Sequence, residues 1–382
     1  MFACRTSVSS KASHVRIRQM AICFSRAMSS EPADDVLFQS AQDKGIIVLN
    51  RPKALNALNL SMCEKIFPVM KKWEKEKSMV IIKGAGEKAF CAGGDVRAIA
   101  AAALKGDTCV GKNFFRCEYT LNNLIGTYQI PYVALIHGIT MGGGVGLSVH
   151  GTYQVATETT LFAMPETAIG LFPDVGGSFF LPRLGGKLGL FLALSGHRLK
   201  GNDVVKAGIA SHFCDSSKLP ELEKALICCT DPQNNAVKIL DEFSKKSSGN
   251  KGDFSLAPYL KQIDQCFSAS CVEEIFQKLE KDGSEWAVKL LDSLKQMSPT
   301  SMKISHRELQ EGACMNLQEC LIMEYRLGCH ACEGHDFIEG VKALLIDKGR
   351  KPEWKPSTLE EVTPDILDKA FASLPPSEEL QL

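Results

Sequence analysis

Apolar and polar positions alternate differently in the two halves of the chain. In the first half, short runs rich in Val, Ile and Phe recur between glycine-bearing turns. Residues 36–39 and 46–50 read as strands joined by the hairpin-type turn Gln42-Asp43-Lys44-Gly45. Residues 60–73 space their apolar side chains as a helix does, with Asn59 or Ser61 as the N-cap. A strand over 80–83 is broken by Gly84-Ala85-Gly86, and helices are predicted over 96–104 and 114–128. Pro131 opens a strand over 133–137, a triple glycine follows, and a helix is expected from about 145 to 150. Strands over 153–157 and 160–162 come next. The repeated order strand, strand, helix predicts an α/β fold wound as a spiral of β-β-α units.

From about residue 218 the periodicity turns helical, over 219–229, 235–244, 271–279, 285–297 and 317–332. Lys245-Lys246-Ser247-Ser248-Gly249-Asn250-Lys251-Gly252 reads as a flexible connection. The chain thus divides into a leader (1–30), a catalytic core (34–217), a helical region continuous with it (218–355) and a peripheral tail (356–382).

Composition narrows the class. The 382 residues carry 44 basic and 44 acidic side chains, a balance that argues against nucleic acid as the main partner. The 15 cysteines are odd in number and scattered, so reduced thiols are expected. Cys329-His330-Ala331-Cys332, with His335 after it, lacks the second pair a zinc site needs, and no metal is expected. Residues 1–30 hold Arg5, Lys11, Arg16, Arg18 and Arg26 and no acid, the pattern of a mitochondrial transit peptide; a disordered basic tail is the plainer alternative. The apolar run 132–151 reads as strand, turn and buried helix, not as a membrane span.

The candidate chemistry starts with Glu166 and Asp174, eight residues apart in an apolar stretch of Met, Pro, Ala, Ile, Leu and Phe. A carboxylate there loses solvation, and its proton affinity should rise. Upstream, Cys91-Ala92-Gly93-Gly94-Asp95 and Met141-Gly142-Gly143-Gly144 each follow a strand and precede a helix. Such turns are at the least tight connections. Gly94 and Gly143 are also natural N–H donors to a developing oxyanion. Together these parts suggest acyl chemistry on a thioester. No Gly-x-Ser-x-Gly elbow and no Walker loop is present.

Four ordered segments carry a family resemblance. Asn50-Arg51-Pro52-Lys53-Ala54-Leu55-Asn56-Ala57-Leu58 resembles the first-strand signature of the crotonase (enoyl-CoA hydratase/isomerase) superfamily. Phe90-Cys91-Ala92-Gly93-Gly94-Asp95 and Gly138-Ile139-Thr140-Met141-Gly142-Gly143-Gly144 resemble its two oxyanion-hole loops, and Phe162-Ala163-Met164-Pro165-Glu166 its segment with the second catalytic glutamate. The resemblance implies an acyl-CoA substrate whose thioester oxygen lies between the N–H groups of Gly94 and Gly143. The backbones of Lys53, Ala54, Leu55, Ala92 and Gly93 would run along the CoA. Superfamily hydratases carry their first glutamate two residues after the triple glycine, where this chain has Gly146, and a small residue where it has Asp174. One carboxylate is lost and one gained. That exchange resembles the superfamily's 3-hydroxyisobutyryl-CoA hydrolases, and the likeness extends through Met297-Ser298-Pro299-Thr300-Ser301 and Met323-Glu324-Tyr325-Arg326.

By this resemblance Glu166 either attacks the thioester or deprotonates water. Asp174 binds the substrate hydroxyl or orients water and helps protonate the thiolate; capping a helix from Val175 is its plain structural role. Glu118 either borders the acyl pocket or is a solvated helix residue. His137, beside the second glycine loop, is expected to be a core histidine. No cofactor is implied, since CoA is part of the substrate. Trimers and hexamers are common in the superfamily, which leaves a homo-oligomer open.

Overall fold

The computed structural model describes residues 34–248 and 252–382. The proposed leader and residues 249–251 of the proposed flexible connection therefore lie outside the described residues; Lys245 and Lys246 end the helix Pro232–Lys246.

Ten strands form two sheets. The larger takes β1 (Val36–Ala41), β2 (Lys44–Leu49), β3 (Met79–Gly84), β5 (Tyr132–Ile136), β7 (Tyr153–Ala156) and β10 (His212–Phe213), in that order. The smaller takes β4 (Ala89–Cys91), β6 (Ile139–Met141), β8 (Leu161–Ala163) and β9 (Leu199–Lys200). From β3 in the larger sheet the chain crosses to the smaller at β4 and returns through helices Val96–Ala103 and Cys109–Gly126 to β5. The step repeats as β5 to β6 and as β7 to β8, always parallel to the preceding turn. This is the β-β-α spiral that the pattern predicts. Only β1 and β9 pair antiparallel with their neighbours.

The larger sheet is covered on both faces, which explains its unbroken apolar strands. Side chains alternate: Val80, Ile82, Ala134 and Ile136 enter the main core. Met79, Ile81, Val133, Leu135 and Val155 enter a second core against Leu222, Leu226, Ala236 and Leu240 of helices Leu219–Ile227 and Pro232–Lys246. Asn59 caps helix Leu60–Glu76 by accepting the Met62 N–H at 2.8 Å. That helix buries Met62, Cys63, Ile66, Met70 and Trp73, one face at helical spacing.

Several helices are longer or shorter than expected. Helix Cys109–Gly126 begins five residues before the expected start, because Cys109 to Asn113 carry no strong apolar signal. The helix after the triple glycine begins at Gly143 and is regular only to Gly146, followed by turns. Helices Leu188–Ser195, Leu260–Phe267 and Pro299–Gly312 were not legible; the last mixes buried polar residues into its inner face. Residues 36–382 form one compact unit. The segment 356–382 is tied down: Arg116 donates to the carbonyls of Glu378 and Glu379, Arg326 pairs with Glu379, and Val362 and Leu380 are buried. No helix of the described residues is long and apolar enough to cross a membrane.

The first motif owes its shape to Asn56. Leu55 and Asn56 both sit at positive φ, 52° and 55°, bending the chain back on itself. The buried Asn56 amide accepts the Arg51 N–H at 2.9 Å and donates to the carbonyls of Ala85 at 3.0 Å and Ala89 at 2.8 Å. Arg51 in turn pairs with Asp95 at 3.0 Å, joining the first motif to the first glycine turn. Asn56→Ala removes three hydrogen bonds and strands buried carbonyls, so a stability loss of about 3 kcal/mol is expected in denaturant unfolding. A loss below about 1 kcal/mol would contradict this assignment.

Candidate active site

The two glycine turns meet. Leu58 N–H donates to the Gly93 carbonyl at 2.9 Å, and Asp95 N–H to Leu58 O at 2.8 Å. Ala92 N–H donates to Leu55 O at 3.0 Å, so the two proposed CoA-lining segments are neighbours. A groove of about 370 Å³ runs past Pro52, Lys53, Leu55 and residues 85–89. Across the junction, a Cβ built on Gly143 would lie 3.2 Å from the amide nitrogen of Gly94 and 3.5 Å from the carbonyl carbon of Gly93. Gly142, at φ 46° and ψ −121°, makes the turn that brings them together. Val145 and Gly146 donate to Gly142 O and Leu147 to Gly143 O; the Gly94 and Gly143 amides take no part in these backbone bonds. Gly143 is the first residue of its helix, where the N–H has no intrahelical acceptor.

Three carboxylates converge here. Glu118 Oε1 lies 2.4 Å from the Cβ position that Gly143 lacks, and Glu166 Oε1 lies 3.0 Å from that of Gly142. Glu118, Glu166 and Asp174 are 1%, 5% and 4% exposed. Glu118 Oε1 and Glu166 Oε2 are buried with no hydrogen-bond partner. Glu118 is thus a site residue rather than a solvated one. Burial pushes the Glu166 carboxyl well above the usual carboxylate range, and the Asp174 charge pushes it further. Burial likewise raises Glu118, with Asp174 adding to it. Asp174 is raised by burial to about 7, against a pull downward from the Tyr119 hydroxyl, which donates to Oδ2 at 2.8 Å.

The side chain of Asp174 does not cap a helix. The helix Gly177–Phe180 starts later, with Gly176 as N-cap, and Gly177 N–H bonds the Asp174 carbonyl. Val175 lies at φ 53°, a backbone region that a β-branched residue occupies only under strain of about 1–3 kcal/mol. Its carbonyl lies 2.7 Å from His150 Nε2, so that nitrogen carries a proton.

Gly146 occupies the position where superfamily hydratases hold a glutamate. A Cβ there would lie 2.6 Å from Val175 Cβ and 2.7 Å from Asn122 Nδ2. The space for a second acid on that side is filled. His137 faces away, contacting Thr157, Thr159 and Glu87. Cys329, His330 and Cys332 lie on helix Leu317–Glu333, and no metal-holding group of three His, Cys, Asp or Glu occurs among the described residues.

Sequence reasoning missed Tyr119, Asn122 and the role of Glu324. Tyr119 and Asn122 share a helix with Glu118, and Asn122, four residues on, lies on the same face; that Tyr119 meets Asp174 and Asn122 meets Gly146 needed the fold. Glu324 follows Leu321-Ile322-Met323, the same acid-in-apolar signal that marks Glu166.

Residues 44–371 match the model of the enoyl-CoA hydratase/isomerase family. The chain belongs to this family. Among its relatives, the Danio rerio protein named "3-hydroxyisobutyryl-CoA hydrolase, mitochondrial" is 57% identical over 91% of this chain and 92% of its own length. The Xenopus laevis protein of the same name is 58% identical over 88% and 89%. A solved carnitinyl-CoA dehydratase from Mycobacterium thermoresistibile superposes with a TM-score of 0.84 at 36% identity, covering 91% of this chain and 98% of its own. The crotonase-like fold with a helical C-terminal region, expected from the four motifs, is the fold observed.

In this family member the buried acids set a pH-dependent stability. Asp174 rises from an ordinary 3.8 to about 7 on folding, so its burial costs nothing below pH 4 and most above pH 7. Asp174→Asn should therefore raise unfolding stability at pH 8 by up to about 4 kcal/mol, a gain that fades towards pH 4. Urea unfolding at both pH values checks it; equal or lower stability at pH 8 would refute the assignment. Gly146→Glu should be destabilised or fail to accumulate as folded protein, and should not hydrate enoyl-CoA, as a thermal melt and a 263 nm absorbance assay on the order of minutes would read.

Proposed function

We propose that the protein hydrolyses the thioester of 3-hydroxyisobutyryl-CoA to 3-hydroxyisobutyrate and CoA, a step of valine catabolism in the mitochondrion. 3-Hydroxypropionyl-CoA is the natural second substrate, since it keeps the hydroxyl and loses only a methyl group. The observation that carries the reading is the acid arrangement. Glu166 and Asp174 are buried beside two adjacent glycine turns, while Gly146 leaves the hydratase position without an acid. The names of the 57–58% identical relatives support the same reaction.

The substrate's CoA runs along the groove at Lys53, Ala54 and Leu55, next to Ala92 and Gly93. Its thioester oxygen accepts from the amides of Gly94 and Gly143. Each such donor typically contributes about 3–4 kcal/mol to an oxyanion. Glu166 then either attacks the carbonyl, expelling the CoA thiolate to form a mixed anhydride that water opens to the hydroxy acid and free Glu166, or takes a proton from water that attacks the carbonyl and expels the thiolate. Asp174 holds the substrate hydroxyl or water and helps return a proton to the departing thiolate. Glu118 lines the acyl end beside Gly143. The thiolate is a good leaving group and the amides supply the electrophile, so the reaction as proposed uses no cofactor beyond the CoA of its substrate.

Burial raises the proton affinity of both Glu166 and Asp174, that of Asp174 to about 7, and the two titrations are linked. One acid and one base are both needed, and kcat should trace a bell against pH. Asp174→Asn should lose one limb of it. Thiol release from a panel of acyl-CoA substrates tests the reaction. Hydroxyacyl-CoA should be cleaved, enoyl-CoA should be neither hydrated nor isomerised, and Glu166→Gln should be about 100- to 10,000-fold slower. Faster turnover of enoyl-CoA than of hydroxyacyl-CoA, or an unaffected Glu166→Gln, would overturn the proposal. A single turnover in oxygen-18 water separates the two routes, since label enters the Glu166 carboxylate only if it attacks.

A further inference from the structure

Asp174 is delivered by a turn that would not hold itself. Val175 at φ 53° and Gly176 at φ 84° are consecutive left-handed residues immediately after the acid. The carboxylate of Glu324 reaches this turn from the helix Leu317–Glu333, 150 residues further along the chain. Glu324 is completely buried. Its Oε2 accepts the Gly176 N–H at 2.7 Å, and its Oε1 accepts both the N–H and the hydroxyl of Ser178, at 3.0 Å and 2.6 Å. An ionised carboxylate, which only accepts, matches three donors; a protonated one would face one of them with its own hydrogen.

The surroundings show what these bonds oppose. Among the described residues no Lys or Arg pairs with Glu324. The groups facing it are Asp174 from the loop after Glu166, Glu118 and Tyr119 from helix Cys109–Gly126, Cys320 from its own helix, and Glu308 from helix Pro299–Gly312. Glu308 is also fully buried, and neither of its oxygens has a hydrogen-bond partner. Glu308 thus lacks the donors that Glu324 has, and it carries the proton of the two. The clamp closes from behind as well: a Cβ on Gly312 would lie 2.2 Å from the Ser178 carbonyl oxygen, so helix Pro299–Gly312 lies directly on the turn.

We infer that Glu324 is a positioning residue for the reaction: its carboxyl group, through three accepted hydrogen bonds, holds the 175–178 turn in left-handed geometry and so aims Asp174 at the site. Tyr119 fixes the Asp174 side chain while Glu324 fixes the main chain that follows it, at Gly176 and Ser178. The two acids are also linked: burial raises the Glu324 carboxyl to about 8, against the pull of its Ser178 and Gly176 donors, and the Asp174 charge adds to the rise. The inference rests on the reading of Asp174 as a group that meets the substrate.

The test uses the full-length protein and 3-hydroxyisobutyryl-CoA. Glu324→Gln keeps the shape but faces a donor with its amide nitrogen. Its kcat should fall about ten- to a hundredfold with the protein still folded by circular dichroism. The kcat–pH limb that Asp174→Asn removes should shift, because the proton affinities of the two acids are linked. Ser178→Ala deletes only the hydroxyl bond and should give a smaller loss with a shift in the same direction; it decides the matter if Glu324→Gln does not fold. A folded Glu324→Gln with wild-type kcat and pH profile overturns the inference. So does a lower yield of active sites with an unchanged profile, or an unaltered Ser178→Ala when Glu324→Gln is unfolded. If Asp174→Asn itself keeps wild-type kcat, the Asp174 reading fails first. If Asp174→Asn is inactive while Glu324→Gln is normal, only the clamp fails.

Discussion

Carboxylates buried without a cation govern this protein. Glu118, Glu166, Asp174, Glu308 and Glu324 lie within one region of the interior, each nearly inaccessible to water. Like charges in a poorly solvating medium cannot all ionise, so protons are retained and proton affinities rise. A fold that needed only stability would replace these acids with apolar side chains. They lie beside two adjacent glycine turns, and the proposed reaction uses that juxtaposition for proton transfer next to an oxyanion.

The spiral and the helical region divide the labour. The spiral brings the two glycine turns into contact, because each leaves the end of a strand of the smaller sheet, β4 or β6, and those strands pair side by side. The helical region forms the wall behind the acids. Gly170 and Gly340 let helix His335–Val341 press on the turn that follows Glu166, with Cβ positions 2.2 Å from Asp336 O and 2.4 Å from the Ile169 carbonyl carbon. Ser298 N–H bonds the Thr167 carbonyl at 3.2 Å. A shorter chain that kept the spiral alone would open the acids to water, and their raised proton affinity would go with it.

The spiral was legible because its strands are short, apolar and punctuated by glycine, and because the sheet is covered on both faces. The motifs were legible for a physical reason too. Arg51, Asn56 and Asp95 are joined by hydrogen bonds, so their identities and order are constrained together. Glu166 and Asp174 stood out as acids in an apolar run. What the sequence concealed was convergence at long range. Glu118 sits in a helix of mixed polarity, and only the packing of that helix decides whether it faces solvent or the Gly143 amide. Helix Pro299–Gly312 buries Ser301, Ser305, His306 and Glu308, so its inner face does not read as apolar. Glu324 shows the signal of a buried acid, but its partners lie some 150 positions away.

The central claim is that one carbonyl oxygen is shared by two backbone amides while a desolvated acid works on the adjoining carbon. A crystal structure with a non-hydrolysable thioether or amide analogue of 3-hydroxyisobutyryl-CoA addresses it most directly. The account places the analogue's acyl oxygen about 3 Å from the nitrogens of both Gly94 and Gly143, with Glu166 beside the carbonyl carbon. An analogue bound with its acyl group elsewhere, for example in the cleft of about 590 Å³ lined by Phe191, Tyr259 and Trp286, would contradict it.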